Sequence, residues 1–307
     1  MKITNKLNLP AGLVKAVSTE RHNEPGCISA TTLLQGVKHI ILTDRHWDEL
    51  EEDVSDRIWA IWGTAVHSLL EQEGENDFTE QEMSYPVGDI TVTGRIDYYD
   101  MENGIICDYK TASMWKVKFK NFEDWYTQGM IYAWLLAKNG FKVKQCRFIA
   151  LLKDHRKTEA ARDYQYTKNP VYVYEYDVTF LNLLKIEKYI KSKVREYVRC
   201  AALGDGDIPP CTPDERWDKA TKYAVKKEGR KTAIRLLDKQ AEAEEMAADL
   251  GKGHFVETRL GESTKCLSYC RCCGFCNYYQ GCVNAVDEKA EKEEKEEKEE
   301  KEEKAAA

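Results

Sequence analysis

The spacing of apolar and polar residues changes along the chain and predicts where helices and strands alternate. Between residues 56 and 73 the apolar positions recur every three or four residues, which predicts a helix. Asp56 is its expected N-terminal charge or cap, and Gly74 is its expected end. Strand-like runs follow at residues 89–99 and 105–110. This part of the chain therefore predicts one long helix and then two strands.

The two strand-like runs are joined by a segment that contains Asn103-Gly104, a pair typical of hairpin turns. If the turn centres just before Asn103, Asp97 faces Asp108; if it centres one residue pair later, Asp97 faces Lys110 instead. Side chains alternate along a strand, so both registers place Asp97, Asp108 and Lys110 on one face. The pattern predicts this shared face and leaves the register open.

The rest of the chain extends this pattern to a mixed sheet. The further predicted elements are a helix at 122–138 that ends at Asn139-Gly140, strands at 145–152 and 171–178, and a helix at 181–203. This order favours an α/β (α+β) fold with a central mixed sheet flanked by helices. Beyond Pro209-Pro210 we expect two more helical stretches in a C-terminal helical, cysteine-rich extension.

Charge is distributed unevenly, which limits what the net value of -7 implies. The segment 287–304 repeats glutamate and lysine and carries most of the excess negative charge, so the remaining chain is nearly neutral. Basic segments lie at 116–120, 153–157 and 219–235. Composition therefore neither requires nor excludes a nucleic-acid partner.

Asp97, Asp108 and Lys110 form the chemically informative group. Two carboxylates placed close together repel each other, and a divalent cation relieves that repulsion. Oxygen ligands of this kind suit Mg²⁺ or Mn²⁺, and a nearby lysine can stabilise charge that develops on a phosphate. An isolated Asp-x-Lys is more often an ordinary surface ion pair. The interpretation therefore depends on further residues.

Three polar residues on the predicted helices, described below, favour a metal site over a surface ion pair. His67 follows Gly63 by one turn, so a backbone or a metal can come close, and Glu71 one turn later is placed to orient the imidazole. Gln128 and Tyr132 are four residues apart and share one face of the next helix. Alone, each of these residues is more simply explained by packing.

Taken in order, these residues resemble a known enzyme family. The matching motifs are Gly63-x-x-x-His67, Gly94-Arg95-Ile96-Asp97, Asp108-Tyr109-Lys110 and Gln128-x-x-x-Tyr132. The set is similar to the RecB-like and phage-exonuclease branch of the PD-(D/E)XK nucleases, over about residues 25–155. The resemblance implies a restriction-endonuclease-like core and a Mg²⁺- or Mn²⁺-dependent DNA nuclease. The expected activity is that of an exonuclease in phage or bacterial recombination, repair or end processing.

The same resemblance implies a role for each matched residue. His67, Asp97 and Asp108 would ligate the metal, with help from the carbonyl of Tyr109. Lys110 would be the catalytic lysine. Gln128 and Tyr132 would contact DNA or position Lys110. A non-catalytic nucleic-acid-binding module with a structural cluster is the alternative function.

Six of the 11 cysteines lie between Cys266 and Cys282, which favours a metal site over inert thiols. Some RecB-like nucleases hold a [4Fe–4S] cluster through one upstream and three C-terminal cysteines, a pattern that Cys273, Cys276 and Cys282 resemble, with Cys27 as the upstream ligand. A phage-type version resembles a second set, which we prefer: Cys211, Cys266, Cys270 and Cys276. Spacing does not separate [4Fe–4S] from Zn²⁺.

The chain is expected to divide into five parts. These are an N-terminal segment at 1–55, a nuclease core at 56–155, a strand and long helix at 156–208, a helical and cysteine-rich region at 209–286, and a charged tail at 287–307. No apolar run approaches the length of a membrane-spanning helix, and no signal-peptide pattern opens the sequence. We therefore expect a cytoplasmic protein, in a bacterium or a phage-infected host, whose partners are DNA and a helicase or single-strand annealing protein.

Overall fold

The computed structural model describes residues 1–18, 24–71 and 78–283 of the 307-residue chain. Its internal contacts divide it into two compact units. The first unit comprises Met1–Ile40 and Trp47–Ala202, and the second comprises Ile41–His46 together with the chain from Leu203 onward.

Helices and strands alternate through both units. The helices are α1 (Ala11–Val17), α2 (Ala30–Leu33), α3 (Val37–Arg45), α4 (Ile58–Glu71), α5 (Met114–Lys118), α6 (Glu123–Lys138), α7 (Lys157–Ala160), α8 (Phe180–Ala201), α9 (Pro213–Arg216), α10 (Gln240–Leu250) and α11 (Thr264–Ser268). The strands are β1 (Lys2–Thr4), β2 (Cys27–Ser29), β3 (Glu51–Asp53), β4 (Phe78–Val87), β5 (Ile90–Asp100), β6 (Ile105–Ala112), β7 (Gln145–Leu152), β8 (Val171–Asp177), β9 (Asp218–Lys219), β10 (Lys222–Lys227), β11 (Arg235–Leu237), β12 (His254–Arg259) and β13 (Glu262–Ser263). Short 3-10 helices lie at Val54–Arg57 and Cys273–Phe275.

A six-stranded mixed sheet forms the centre of the first unit, as the sequence pattern predicts. Strand β4 pairs antiparallel with almost the full length of β5, so β2 and β6 share the other edge of β5. Strand β2 pairs parallel with Thr91–Thr93, and β6 pairs antiparallel with Tyr98–Asp100. Residues 94–97 of β5 lie between these two ladders. This interruption leaves room for side chains to converge at one point of the sheet.

Helix α6 packs on the sheet and supplies much of the core. Residues Met130–Leu136 are all buried. Close approach depends on Gly94 of β5, because an added Cβ would lie 2.7 Å from Leu135 Cδ1 and 2.9 Å from the Tyr132 ring. The glycine therefore fixes the distance between α6 and the strand that carries Asp97.

The helices and strands that were predicted for the first unit lie within two residues of their expected bounds. Strand β4 was not predicted, and the cap at the start of α4 differs from the expectation. Asp53, rather than Asp56, provides the cap, because its side chain accepts a hydrogen bond from the backbone N–H of Ser55 at the start of the 3-10 helix that leads into α4. The expected end of this helix at Gly74 lies outside the described residues.

The second unit contains more strand than the sequence pattern predicts. Strand β10 pairs antiparallel with both β11 and β12, and Val225, Ala243 and Ala247 form a small core beneath α10. The expected helical stretches are present as α9, α10 and α11, but the sequence pattern did not predict the five short strands β9 to β13. Tyr223, Ala224 and Val225 form a short apolar run between Lys222 and Lys226, which is a weak strand signal by itself, and its longest pairing is with the distant β12.

Among the described residues, no helix is both long enough and apolar enough to cross a membrane.

Candidate active site

Seven polar side chains from five elements meet where β5 and β6 separate. They are His67 on α4, Glu80 on β4, Asp97 on β5, Asp108 and Lys110 on β6, and Gln128 and Tyr132 on α6. All lie in the first unit. Six of the seven are among the residues that the sequence motifs singled out.

The hairpin register decides between the two alternatives left open by the sequence. The β5–β6 ladder pairs Asp100 with Ile105, Tyr99 with Ile106, and Tyr98 with Cys107. Asp97 and Asp108 are the next positions in this register, so the first alternative is confirmed and the register that opposes Asp97 to Lys110 is wrong. Beyond the last pair, the backbone N–H of Tyr109 donates a hydrogen bond of 2.8 Å to Asp97 Oδ2.

The carboxylate of Asp97 faces the imidazole of His67. His67 Nδ1 lies 3.5 Å from Asp97 Oδ1 and 3.3 Å from Glu80 Oε1. The three donor atoms lie within 4.8 Å of one another. Adjacent ligands of an octahedral cation bound at about 2.1 Å lie about 3 Å apart, so this spacing suits a shared ion.

Glu80 is the site residue that sequence reasoning missed. It lies opposite Asp97 in the β4–β5 register, because the pairs on either side are Thr79 with Tyr98 and Gln81 with Ile96. Its backbone adopts the left-handed conformation at φ 51°, which is costly for a glutamate and occurs most often at functional sites. Its position on the strand that precedes Asp97 could have indicated a role, but only if the pairing register of β4 with β5 had been known.

Asp108 is buried, with 1% of its surface exposed. Its Oδ2 accepts a hydrogen bond of 3.3 Å from Gln128 Nε2, which also donates one of 2.8 Å to the hydroxyl of Tyr132. Lys110 Nζ forms an ion pair with Oδ1 at 2.6 Å. The ammonium therefore contacts the buried Oδ1 atom directly.

In the absence of a cation, burial and mutual repulsion disfavour the ionised form of both aspartates. Burial raises the pKa of Asp97 to about 7, and the neighbouring charge of Asp108 adds to the shift. Burial also raises the pKa of Asp108, opposed mainly by the ammonium of Lys110. The hydroxyl of Tyr132 remains protonated because burial raises its pKa further.

The donor set fits a divalent cation. His67, Glu80 and Asp97 offer one imidazole nitrogen and two carboxylates within 4.8 Å of one another, and Asp108 adds a buried carboxylate beside them. A bound cation would offset the repulsion between the aspartates.

A profile of the PD-(D/E)XK nuclease superfamily matches residues 31–282, which is most of the chain and includes all of these site residues. The chain belongs to the PD-(D/E)XK nuclease superfamily. The matched residues include Asp97 on β5 and the Asp108-Tyr109-Lys110 segment on β6.

Other comparisons give weaker likenesses. A phage-related exonuclease from Haemophilus somnus is 12% identical, with a TM-score of 0.35 over 56% of this chain and 93% of its own. An alkaline exonuclease from Laribacter hongkongensis is 9% identical, with a TM-score of 0.38 over 57% of this chain and 90% of its own. No curated protein matches the chain.

The second unit of this PD-(D/E)XK chain gathers cysteines near Cys266. Burial first, and then the neighbouring thiols Cys270, Cys211, Cys276 and Cys282, raise the pKa of Cys266 to about 12. Thiols raise one another's pKa because their thiolate forms repel each other, and a bound metal relieves that repulsion. The neighbours include the three partners that the preferred ligand set assigns to Cys266.

The remaining sequence candidates have separate placements. Cys273 lies in the 3-10 helix of the second unit, and Cys27 lies on β2 of the first unit. The side chain of Glu71, expected to orient His67, lies outside the described residues. Among the described residues, the carboxylate of Glu80 lies beside the His67 ring nitrogen.

Proposed function

We propose that the protein is a Mg²⁺- or Mn²⁺-dependent deoxyribonuclease that hydrolyses phosphodiester bonds as an exonuclease. One observation carries the proposal: two buried carboxylates, Asp97 and Asp108, lie next to each other with Lys110 Nζ 2.6 Å from Asp108. A buried pair of this kind is costly unless a cation binds it, so its presence in a nuclease fold points to catalysis.

Five groups would hold the cation. These are the side chains of His67, Glu80, Asp97 and Asp108, and the main-chain carbonyl of Tyr109. When bound, a divalent cation polarises the phosphodiester and makes water a stronger nucleophile at neutral pH. The N–H of Tyr109 keeps the Asp97 carboxylate oriented, through the 2.8 Å hydrogen bond to Oδ2.

Lys110 is the proposed catalytic cation. Its ammonium is partly exposed and lies against Asp108, so it can stabilise negative charge that develops on the scissile phosphate. Gln128 and Tyr132 are proposed positioning residues. The amide of Gln128 bridges Asp108 and the Tyr132 hydroxyl, which fixes the rotamer of the carboxylate that Lys110 contacts.

The cysteines of the second unit are proposed to hold a structural [4Fe–4S] cluster or Zn²⁺ through Cys211, Cys266, Cys270 and Cys276. The neighbouring thiols that raise the pKa of Cys266 support this set. Its role would be to fix the fold of the segment 209–286. The proposed setting is phage or bacterial recombination, repair or end processing, with unwinding or annealing supplied by another protein.

Cleavage of end-labelled linear DNA and closed circular DNA tests the proposal, in Mg²⁺, Mn²⁺ or EDTA. We expect metal-dependent loss of linear DNA alone, absent in Asp108→Ala and retained in the surface control Asp238→Ala. Cleavage of circles as well would replace exonuclease by endonuclease. DNA binding without cleavage under any of these conditions would contradict the proposal and favour a binding module.

A further inference from the structure

An exposed row of aromatic and basic side chains runs along the first unit from the candidate active site. On α4, Trp59, Gly63 and His67 follow one another at intervals of four residues, so they lie on one side of the helix. Eight residues of helix span about 12 Å, which is the rise of three to four stacked nucleotides at about 3.4 Å each. The row therefore has the length of a short single strand.

The ends of β6 and β7 line the other side of this row. A Cβ added to Gly63 would meet only Thr111 Oγ1, at 4.0 Å, so the middle of the row is open. Lys153 Nζ, directly after β7, lies 4.5 Å from the centre of the Trp59 ring. Trp59 nevertheless remains 62% exposed. A large aromatic face is thus held next to a cation and left accessible to solvent.

Helix α5 presents a second aromatic pair next to the same strand ends. Trp115 and Phe119 stack on each other with ring centroids 5.7 Å apart, and they are 59% and 71% exposed. Lys118 Nζ lies 5.6 Å from the Trp115 ring. Asp154, the residue after Lys153, accepts hydrogen bonds from Ser113 and from the N–H of Met114, which ties the start of α5 to the end of β7.

Exposed aromatic rings interleaved with lysines suit one type of ligand particularly well. Bases that are not paired can stack on aromatic rings, while lysines contact the phosphates. Bases inside a duplex do not offer their faces in this way. The alternative, a protein partner on an apolar patch, does not account for Lys153 beside Trp59, whereas Lys118 beside Trp115 also forms an ion pair with Asp163.

We propose that Trp59, Trp115 and Phe119 form a stacking surface for unpaired DNA next to the catalytic carboxylates, and that the enzyme engages its substrate strand as a single strand. The proposal rests on the proposed nuclease function for the identity of the ligand. It adds that the strand entering the site is unpaired over its last few nucleotides.

Binding measurements in an Asp108→Asn background test the proposal without cleavage. The probes are a fluorescein-labelled 12-nucleotide oligo(dT) and a blunt 12-base-pair duplex, followed by fluorescence anisotropy in Ca²⁺. Since stacking contributes about 1–3 kcal/mol per base, the triple variant Trp59→Ala, Trp115→Ala, Phe119→Ala should bind oligo(dT) at least about tenfold more weakly. Its affinity for the duplex should stay within about twofold.

Phe180→Ala is the matched control, because Phe180 is 73% exposed, close to the value for Phe119, and lies on α8. It should bind both probes like the parent protein. Trp59→Ala alone and the pair Trp115→Ala, Phe119→Ala should each weaken oligo(dT) binding, so the test survives if the triple variant unfolds. Unchanged oligo(dT) affinity, or an equal loss for oligo(dT) and duplex, would overturn the stacking surface.

The two proposals fail in distinguishable ways. If wild-type protein degrades linear DNA but the aromatic variants bind oligo(dT) normally, the nuclease function stands and the stacking surface is rejected. If no cleavage occurs but the variants lose oligo(dT) binding selectively, the stacking surface stands and the nuclease function is rejected.

Discussion

Asp97 and Asp108 are buried carboxylates, so their ionisation couples the stability of the protein to pH and, if they bind the proposed cation, to metal concentration. Both pKa values are raised chiefly by burial, and the two charges also repel each other. Metal ligands must be deprotonated, so cation binding and proton release are linked. We therefore expect rising pH to lower the stability of the metal-free protein and to favour binding of the metal.

The stability of the metal-free protein should fall as pH rises. The pKa of Asp97 is about 7 in the folded state, against an ordinary value of 3.8. Between these values the folded protein retains a proton that the unfolded chain has lost, so ionisation disfavours folding by at most about 4 kcal/mol. Thermal unfolding in EDTA should show the loss between about pH 4 and pH 7, and Asp97→Asn should show a smaller slope. Equal slopes in the two proteins would contradict this.

Glu80→Gln should weaken Mn²⁺ binding by about tenfold or more, because one carboxylate oxygen that faces His67 and Asp97 becomes a neutral amide. Calorimetric titration of the metal-free protein with MnCl₂ measures this directly. Glu82→Gln, two residues later on the same strand and 62% exposed, is the control and should bind Mn²⁺ normally. A Glu80→Gln variant with wild-type Mn²⁺ affinity would remove Glu80 from the ligand set.

At the scale of elements, the position of α6 over β5 decides whether Gln128 and Tyr132 reach Asp108. Gly94 permits that position, since any larger residue would collide with Leu135 and Tyr132. Tyr132 is itself buried and bonded to Gln128, so it cannot move aside without disturbing the site.

Gly94→Ala should therefore destabilise the protein by about 1–3 kcal/mol and reduce cleavage beyond what the lower stability explains. Denaturant unfolding and single-turnover cleavage measure the two effects. Gly12→Ala is the control, because a Cβ at Gly12 on α1 meets nothing within 4 Å. If Gly94→Ala were as stable and active as Gly12→Ala, the close packing of α6 on β5 would not position the site.

The sequence predicted strands β5 to β8 and helices α4, α6 and α8 of the first unit because their signals are local. Asn103-Gly104 marks the turn, with Gly104 at φ 72°, and strict alternation brings Asp108 and Lys110 to one face. Glu80 was missed because its place depends on the pairing of β4 with β5 and on a left-handed backbone that no local pattern encodes. Strand β10 was missed because its apolar run is only three residues long and its longest pairing, with β12, joins segments that are distant in sequence.

At the scale of the whole molecule, each unit gathers its own candidate metal ligands. The first unit offers carboxylates and an imidazole, which suit Mg²⁺ or Mn²⁺, and the second offers thiols, which suit Zn²⁺ or iron. The two sites should therefore respond differently to chelators and to substitutions.

Cys266→Ser and Cys276→Ser should each lose the tightly bound metal, whereas Cys273→Ser and Cys282→Ser should retain it. The reason is that serine does not replace a thiolate ligand, and only the first two belong to the preferred set. Elemental analysis for zinc and iron, with absorption near 400 nm for a cluster, reads out the result on anaerobically purified protein. Metal loss in Cys273→Ser and Cys282→Ser, with retention in Cys266→Ser, would favour the other set.

Lys110 separates a nuclease from a DNA-binding module, so its substitution tests the central claim most directly. The measurement is the single-turnover rate of linear DNA cleavage at saturating Mn²⁺ by wild-type protein and Lys110→Ala, with DNA affinity determined in parallel. We predict a rate loss of about 100-fold or more with little change in affinity, because the ammonium acts on charge that develops during the reaction. A Lys110→Ala protein that cleaves at the wild-type rate would contradict catalysis at this site.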